Sequence, residues 1–207
     1  MIKYIIKRSL ILLSASLVDA QVPIPVSAQN GPILLTGATA HIGDGTVINN
    51  AAIGFENGKL TLVSGSTSGI DVSEYRVIDV SGKHIYPGFI LPNTQLGLVE
   101  VIAVRATNDM SEEGTINPNV RSLIAYNTDS ENIPTMRFNG ILLAETTPSG
   151  GIISGVSSVM ELEGWNWEDA VHSSDIAMHM NWPGRTNRRF DFATFTIQTS
   201  PNKNYDK

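Results

Sequence analysis

Turn signals break residues 32–90 into pieces too short for helices and well suited to strands. Asp44-Gly45 and Asn57-Gly58 accept positive φ at little cost, and Ser81-Gly82 makes a third break. The pieces between them, residues 33–41, 51–55, 59–63, 75–80 and 83–86, are rich in residues that favour a pleated chain. Asn-Gly between the second and third is the strongest short hairpin signal a sequence carries. Residues 29–86 therefore predict a small all-β domain, a β-sandwich or partly open barrel.

Composition sets outer limits. The chain has 207 residues, 42% of them hydrophobic and 16% charged, which is enough apolar material for a core and a poor match to disorder. Fourteen basic against twenty acidic side chains give a formal charge of −6 with no basic tract, so no electrostatic footprint for nucleic acid is present. With no Cys, disulfides, thiol nucleophiles and iron–sulfur sites are excluded.

Lys3, Lys7 and Arg8 precede an apolar run from Leu10 to Val18, followed by small residues at Val18-Asp19-Ala20 and Val26-Ser27-Ala28. This pattern predicts a secretory signal peptide over residues 1–28, and an exported periplasmic or extracellular product. A buried N-terminal helix is the alternative. The run is too short for a permanent membrane span, which takes about 20 residues.

Beyond Tyr86 the texture changes. Residues 91–94 read as an apolar strand, 98–104 as apolar enough to be buried, 120–126 as a short helix, 141–145 as a buried strand, and 152–162 as an alternating stretch. Residues 165–172, with Glu168 and Asp169 in the first turn, predict a helix start. Residues 87–183 form the second unit. The tail, 184–207, is polar, weakly patterned and without a core of its own.

The order of a small β-domain, the hairpin Asn57-Gly58-Lys59, the strand Val77-Ile78-Asp79-Val80 with Gly82, and then Tyr86-Pro87-Gly88-Phe89-Ile90 resembles the N-terminal part of the amidohydrolase superfamily. Asn139-Gly140-Ile141, Pro148-Ser149-Gly150-Gly151, Ile153-Ser154-Gly155 and Ser157-Ser158 are similar to the second-strand region of its exported, imidazolonepropionase-like members. The resemblance spans about residues 33–183.

The resemblance implies an α/β chain in which the β-sandwich is followed by a (β/α)8 TIM-type barrel, with divalent metal, usually zinc, at the barrel mouth. It also implies hydrolysis of carbon–nitrogen bonds other than peptide bonds, on a small-molecule substrate. A metal of that kind activates water and polarises the scissile carbonyl. The family's first ligands are an H-x-H pair, and those positions here read Asn93-Thr94-Gln95. Neutral amide oxygens are harder donors than imidazole and commoner around Ca²⁺ than Zn²⁺. No metal is therefore expected at Asn93 and Gln95, which could instead hold a substrate or a water.

A complete barrel takes about 250 residues, and only residues 93–207 follow Pro92. At about 30 residues per βαβ unit the barrel is expected to be incomplete. The chain then reads as a fragment whose open face needs a missing C-terminal half or an oligomer partner.

Other candidates are weaker. Gly150 and Gly151 could cradle an anion through backbone N–H groups, although no P-loop spacing exists. His172 and His179 would share a face if their segment were helical, while His41 and His84 read as structural or exposed. Ser154, Ser157 and Ser158 lack the G-x-S-x-G elbow. Glu112, Glu113, Glu161 and Glu163 read as solvated, as does the cluster Arg185, Arg188 and Arg189. Trp165, Trp167 and Trp182 belong either in the core or at a ligand mouth. Two function classes follow: an amidohydrolase-type hydrolase, inactive as this fragment alone, or a catalytically retired relative that binds or scaffolds without metal.

Overall fold

A computed structural model describes residues 25–27, 29–203 and 205. The apolar run and first cleavage motif read as a signal peptide lie outside them. Among the described residues no helix is long and apolar enough to cross a membrane.

The first sheet is built on β1 (Ile33–His41). On one side β1 pairs antiparallel with β2 (Val47–Glu56), which pairs antiparallel with β3 (Lys59–Ser64). On the other it pairs parallel with β4 (Arg76–Asp79) and, further along, with β5 (His84–Ile85). Asn57 and Gly58 join β2 to β3 with φ of 51° and 72°. Two successive positive φ values make the tight hairpin turn that matches strand twist, which is why Asn-Gly sits there. Leu34, Ala38, Ala40, Ala51, Ala52 and Ile53 are buried. The core is thin because most of its side chains are methyl groups.

The second sheet has the order β6 (Phe89–Thr94), β7 (Ile141–Thr146), β8 (Ile153–Glu161), β9 (Val171–Met180). Only β6 and β7 are parallel; β7–β8 and β8–β9 are antiparallel. Helix α1 (Asn132–Phe138) lies in the β6–β7 crossover, and α2 (Trp167–Ala170) is a single turn before β9. Cross-strand partners share a face, so the register Ala144↔Met160 and Thr146↔Ser158 places these four on one side. All four are fully buried. Ala144 and Met160 pack with Leu96, Leu123, Tyr126, Ile133, Leu162 and Ala170 as the main core. The opposite face carries Leu143, Glu145, Ser157, Val159 and Glu161.

This architecture corrects the expected fold. Among the described residues no (β/α)8 barrel is present: one parallel crossover is followed by antiparallel returns. The reason is local. A parallel return needs a dozen or more residues, usually with a helix, and between β7 and β8 the chain has only Thr147-Pro148-Ser149-Gly150-Gly151-Ile152. Proline and two glycines there cannot build a crossover helix. The expected N-terminal β-sandwich is likewise a single five-stranded sheet. The segment expected to begin a helix at 165–172 gives one turn, capped by the Asn166 side chain accepting from Asp169 N–H at 2.8 Å, and then extends into β9. Residues 120–126 contain a short 3-10 turn, Ser122–Ala125.

The tail forms a hairpin of β10 (Thr186–Asp191) and β11 (Thr196–Pro201) that buries none of its strand residues. Phe190 meets Phe192 and Phe195 edge-on, with centroids 5.0 and 6.0 Å apart.

Along its first half β8 is flanked, on its β7 side, by parallel bridges Ile116↔Ile153 and Arg121↔Val156. Gly155 makes this approach possible. Its φ is +129°, and a Cβ there would lie 2.6 Å from the Val120 carbonyl oxygen. Replacing Gly155 with Ala forces both strain and overlap, so G155A is expected to lose about 3 kcal/mol of stability, read as a lowered urea midpoint.

Candidate functional site

The parallel strands β6 and β7 end side by side, and the residues expected to bind lie there. Asn93 is exposed and has φ of 48°, at an irregularity in the β6–β7 register between Leu91 and Thr94. Asn enters this left-handed region more readily than most residues. Gln95 has already left the strand: its carbonyl accepts from Leu98 N–H at 2.9 Å and starts a turn. Strand alternation therefore does not align the two carboxamides, and the irregularity re-aims Asn93.

The side chain that organises this end is Glu145, which sequence reading passed over. One carboxylate oxygen, Oε2, accepts from Asn93 N–H at 3.1 Å. The other, Oε1, accepts from Ser157 Oγ at 2.9 Å, and His179 Nε2 lies 3.4 Å away. His179 Nε2 is shielded from solvent and makes no hydrogen bond of good geometry. The contact is thus a proximity of imidazole and carboxylate rather than an aligned bond. Glu145 joins β6, β7, β8 and β9 through one group. The signal that could have found it is the register: Glu145 and Ser157 lie on one face of adjacent strands, and Gly155↔His179 brings the imidazole to the same face.

Gly150 and Gly151 adjoin this end through the loop after β7, where Thr147 N–H donates to Thr94 O at 2.8 Å. Their carbonyls are engaged: Ser154 Oγ donates to Gly150 O at 2.7 Å and Asn181 Nδ2 to Gly151 O at 3.1 Å. A Cβ on Gly151 would lie 2.9 Å from Thr115 O. Close backbone packing against residues 110–115 is thus the physical demand for glycine at this position.

Ser154, Ser157 and Ser158 are buried and each has a partner. Ser158 Oγ accepts from Asp175 N–H at 3.0 Å. Asp175, with φ of 54°, takes a two-pronged contact from Arg121 at 2.9 and 2.6 Å. His172 Nδ1 lies 3.1 Å from Glu161 Oε1, and His41 meets His84 rather than a carboxylate. The strand β9 replaces the helix that would have set His172 and His179 on one face. Trp167 packs against the main core, whereas Trp165 and Trp182 are exposed. A cavity of about 400 Å³ lies at the other end of the strands, lined by Phe89, Ile90, Leu142 and His172 among others.

The donor set does not suit zinc. Among the described residues no three His, Cys, Asp or Glu side chains converge as metal ligands. Asn93 and Gln95 add only neutral oxygens and amide nitrogens, which lack the imidazole lone pair that zinc prefers.

The fold has a solved counterpart. The chain is similar to the crystal structure of an amidohydrolase from Thermotoga maritima MSB8, with a TM-score of 0.67 and 21% identity over 73% of this chain. The match spans 39% of that protein's length. A second crystal structure, of an uncharacterized protein, matches at a TM-score of 0.37 and 18% identity, over 54% of this chain and 24% of that one, and carries no weight. No family model and no curated protein matches the sequence. The amidohydrolase likeness is one of fold.

Two outcomes are expected from this geometry. E145A removes the acceptor of the Asn93 N–H and leaves the buried Ser157 hydroxyl only the longer contact to Ala177 O at 3.3 Å, at a cost of about 2 kcal/mol, whereas E145Q keeps an oxygen acceptor and costs less; denaturation midpoints read both. The Asp175 carboxyl is held below the usual carboxylate range by hydrogen bonds from Arg121, which outweigh a small desolvation, with the guanidinium charge adding to them. Its contribution is full above the unfolded-state value of about 3.9 and is lost as pH falls through the depressed folded-state value. D175N is therefore expected to flatten the fall of the urea midpoint below about pH 4.

Proposed function

We propose that the chain is an amidohydrolase-type domain, related to hydrolases of non-peptide carbon–nitrogen bonds, and that these 207 residues do not turn over substrate alone. The observation that supports the relationship is the fold shared with the Thermotoga maritima amidohydrolase over 73% of the chain. In this reading Asn93 and Gln95 contact a small-molecule substrate or a water at the ends of β6 and β7, Glu145 holds the Asn93 backbone in place, and the Gly150-Gly151 loop borders the site.

No chemical step is assigned to a metal, because the residues present do not fit one. Each Glu145 oxygen accepts one hydrogen bond, from Asn93 N–H and from Ser157 Oγ, which makes the carboxylate a support for the strand ends. That leaves recognition as the work these residues are equipped for. The pair of carboxamides thus favours a second reading, a metal-free binding or scaffolding module that keeps the fold. In both readings the product is exported. Phe89, Ile90 and Leu142, each more than half exposed, are covered in the working protein by further polypeptide of the same or a partner chain.

Metal analysis and hydrolysis assays test this. After dialysis against a chelator the chain is expected to retain neither zinc nor manganese and to leave cyclic amides intact. Hydrolysis by the isolated chain would overturn the proposal of inactivity. Stoichiometric zinc lost on changing Asn93 or Gln95 to Ala would overturn the metal-free site.

A further inference from the structure

His41 and His84 stand far apart in sequence, yet the parallel register Thr39↔His84 and Ala40↔Ile85 brings their rings to one edge of the first sheet. His41 Nε2 and His84 Nδ1 are 3.0 Å apart. The Tyr86 ring lies flat against His41, with centroids 4.3 Å apart and planes within 7°. Backbone pairing holds both Cα atoms, and the stacked phenol restrains one ring. The pair is organised before any ligand arrives, which lowers the ordering cost of binding.

We propose that His41 and His84 form a two-histidine site for a divalent transition-metal ion, Cu²⁺ above all, distinct from the Asn93–Glu145 region. In the metal-free pair one nitrogen donates a proton to the other, so one lone pair is already directed at its neighbour. A metal takes the place of that proton once the donor ring carries its proton on its other nitrogen, so that both facing nitrogens offer a lone pair. Spacing decides which geometry fits. Two nitrogens bound at about 2.0–2.1 Å and 90° apart lie about 2.8–3.0 Å from each other, whereas tetrahedral angles need about 3.3 Å. The observed 3.0 Å is set by a hydrogen bond between the two nitrogens, and it is already close to the spacing of adjacent corners of a tetragonal ion, the geometry of Cu²⁺ and Ni²⁺. Binding requires the rings to turn until both lone pairs meet on one ion, and the movement falls mainly to His84 because Tyr86 restrains His41. His84 is exposed and His41 partly so, which leaves room for water to complete the shell.

The affinity order follows: Cu²⁺ exceeds Ni²⁺ and Zn²⁺, and Mn²⁺ is weakest. Calorimetric titration of the tag-free chain with CuCl2 tests the site, with electron paramagnetic resonance of the complex as a second readout. The expected result is one Cu²⁺ per chain with hyperfine structure from two nitrogens. H41A and H84A each abolish that signal, and H172A and H179A retain it. H84Q, which keeps a side chain of similar reach on β5, removes Cu²⁺ binding without changing the circular dichroism spectrum. Absence of binding, a one-nitrogen spectrum, or a two-nitrogen signal that survives H84Q overturns the proposal. So does loss of the signal in H172A or H179A.

Discussion

The second sheet depends on β8 having an edge partner along its whole length. At residues 158–161 it pairs with β7, at 153–156 it bridges to residues 116–121, and β9 covers its other side. Such a strand is buried from both flanks, and three of its residues are serines. A buried hydroxyl without a partner costs about 1–3 kcal/mol. Each is satisfied: Ser154 by Gly150 O, Ser157 by Glu145 and Ala177 O, Ser158 by Asp175 N–H. These bonds reach β7, its following loop and β9, so the polar groups inside the sheet fix its register as firmly as the apolar ones. A one-residue slip of β8 would orphan all three at once.

That dependence explains why much of the first sheet was legible and less of the second. Asn57-Gly58 is a local instruction, and the turn it specifies is the one formed. The second sheet turns on a contest between resemblance and loop length. Motifs such as Pro148-Ser149-Gly150-Gly151 pointed to an alternating barrel, but those residues are too few and too poor in helix formers to carry a crossover. Counting the residues between predicted strands would have favoured an antiparallel return. In the same way the acidic first turn at Glu168 and Asp169 predicts a helix start over residues 165–172, and His172 and His179 share a face only if that helix continues. The turn forms, then the chain extends into β9, held there by pairing with β8.

Site residues divide along the same line between what is local and what needs pairing. Asn93 and Gln95 could be named as candidates because they stand close to a recognisable run, Pro87-Gly88-Phe89-Ile90. Glu145 and Ser157 were not, because nothing within either neighbourhood says that an acid on β7 faces a hydroxyl on β8. His41 and His84 were invisible for the same reason; only the register of a parallel pair places Nε2 of one at 3.0 Å from Nδ1 of the other. Chemistry carried by contacts across strands is hidden until the strands are paired.

The two polar centres also differ in what they can exchange. Around Glu145 each carboxylate oxygen already accepts a bond from within, from the Asn93 N–H and the Ser157 hydroxyl. These bonds tie the carboxylate to the strand ends, and the Asn93 and Gln95 carboxamides lie at the edge of that arrangement. At His41 and His84 the lone pair and proton are used only on each other, at the surface, and no buried group depends on that exchange. Displacing the proton costs the sheet nothing beyond one exposed contact. The first arrangement is suited to holding a strand end in position, and the second to taking up an ion.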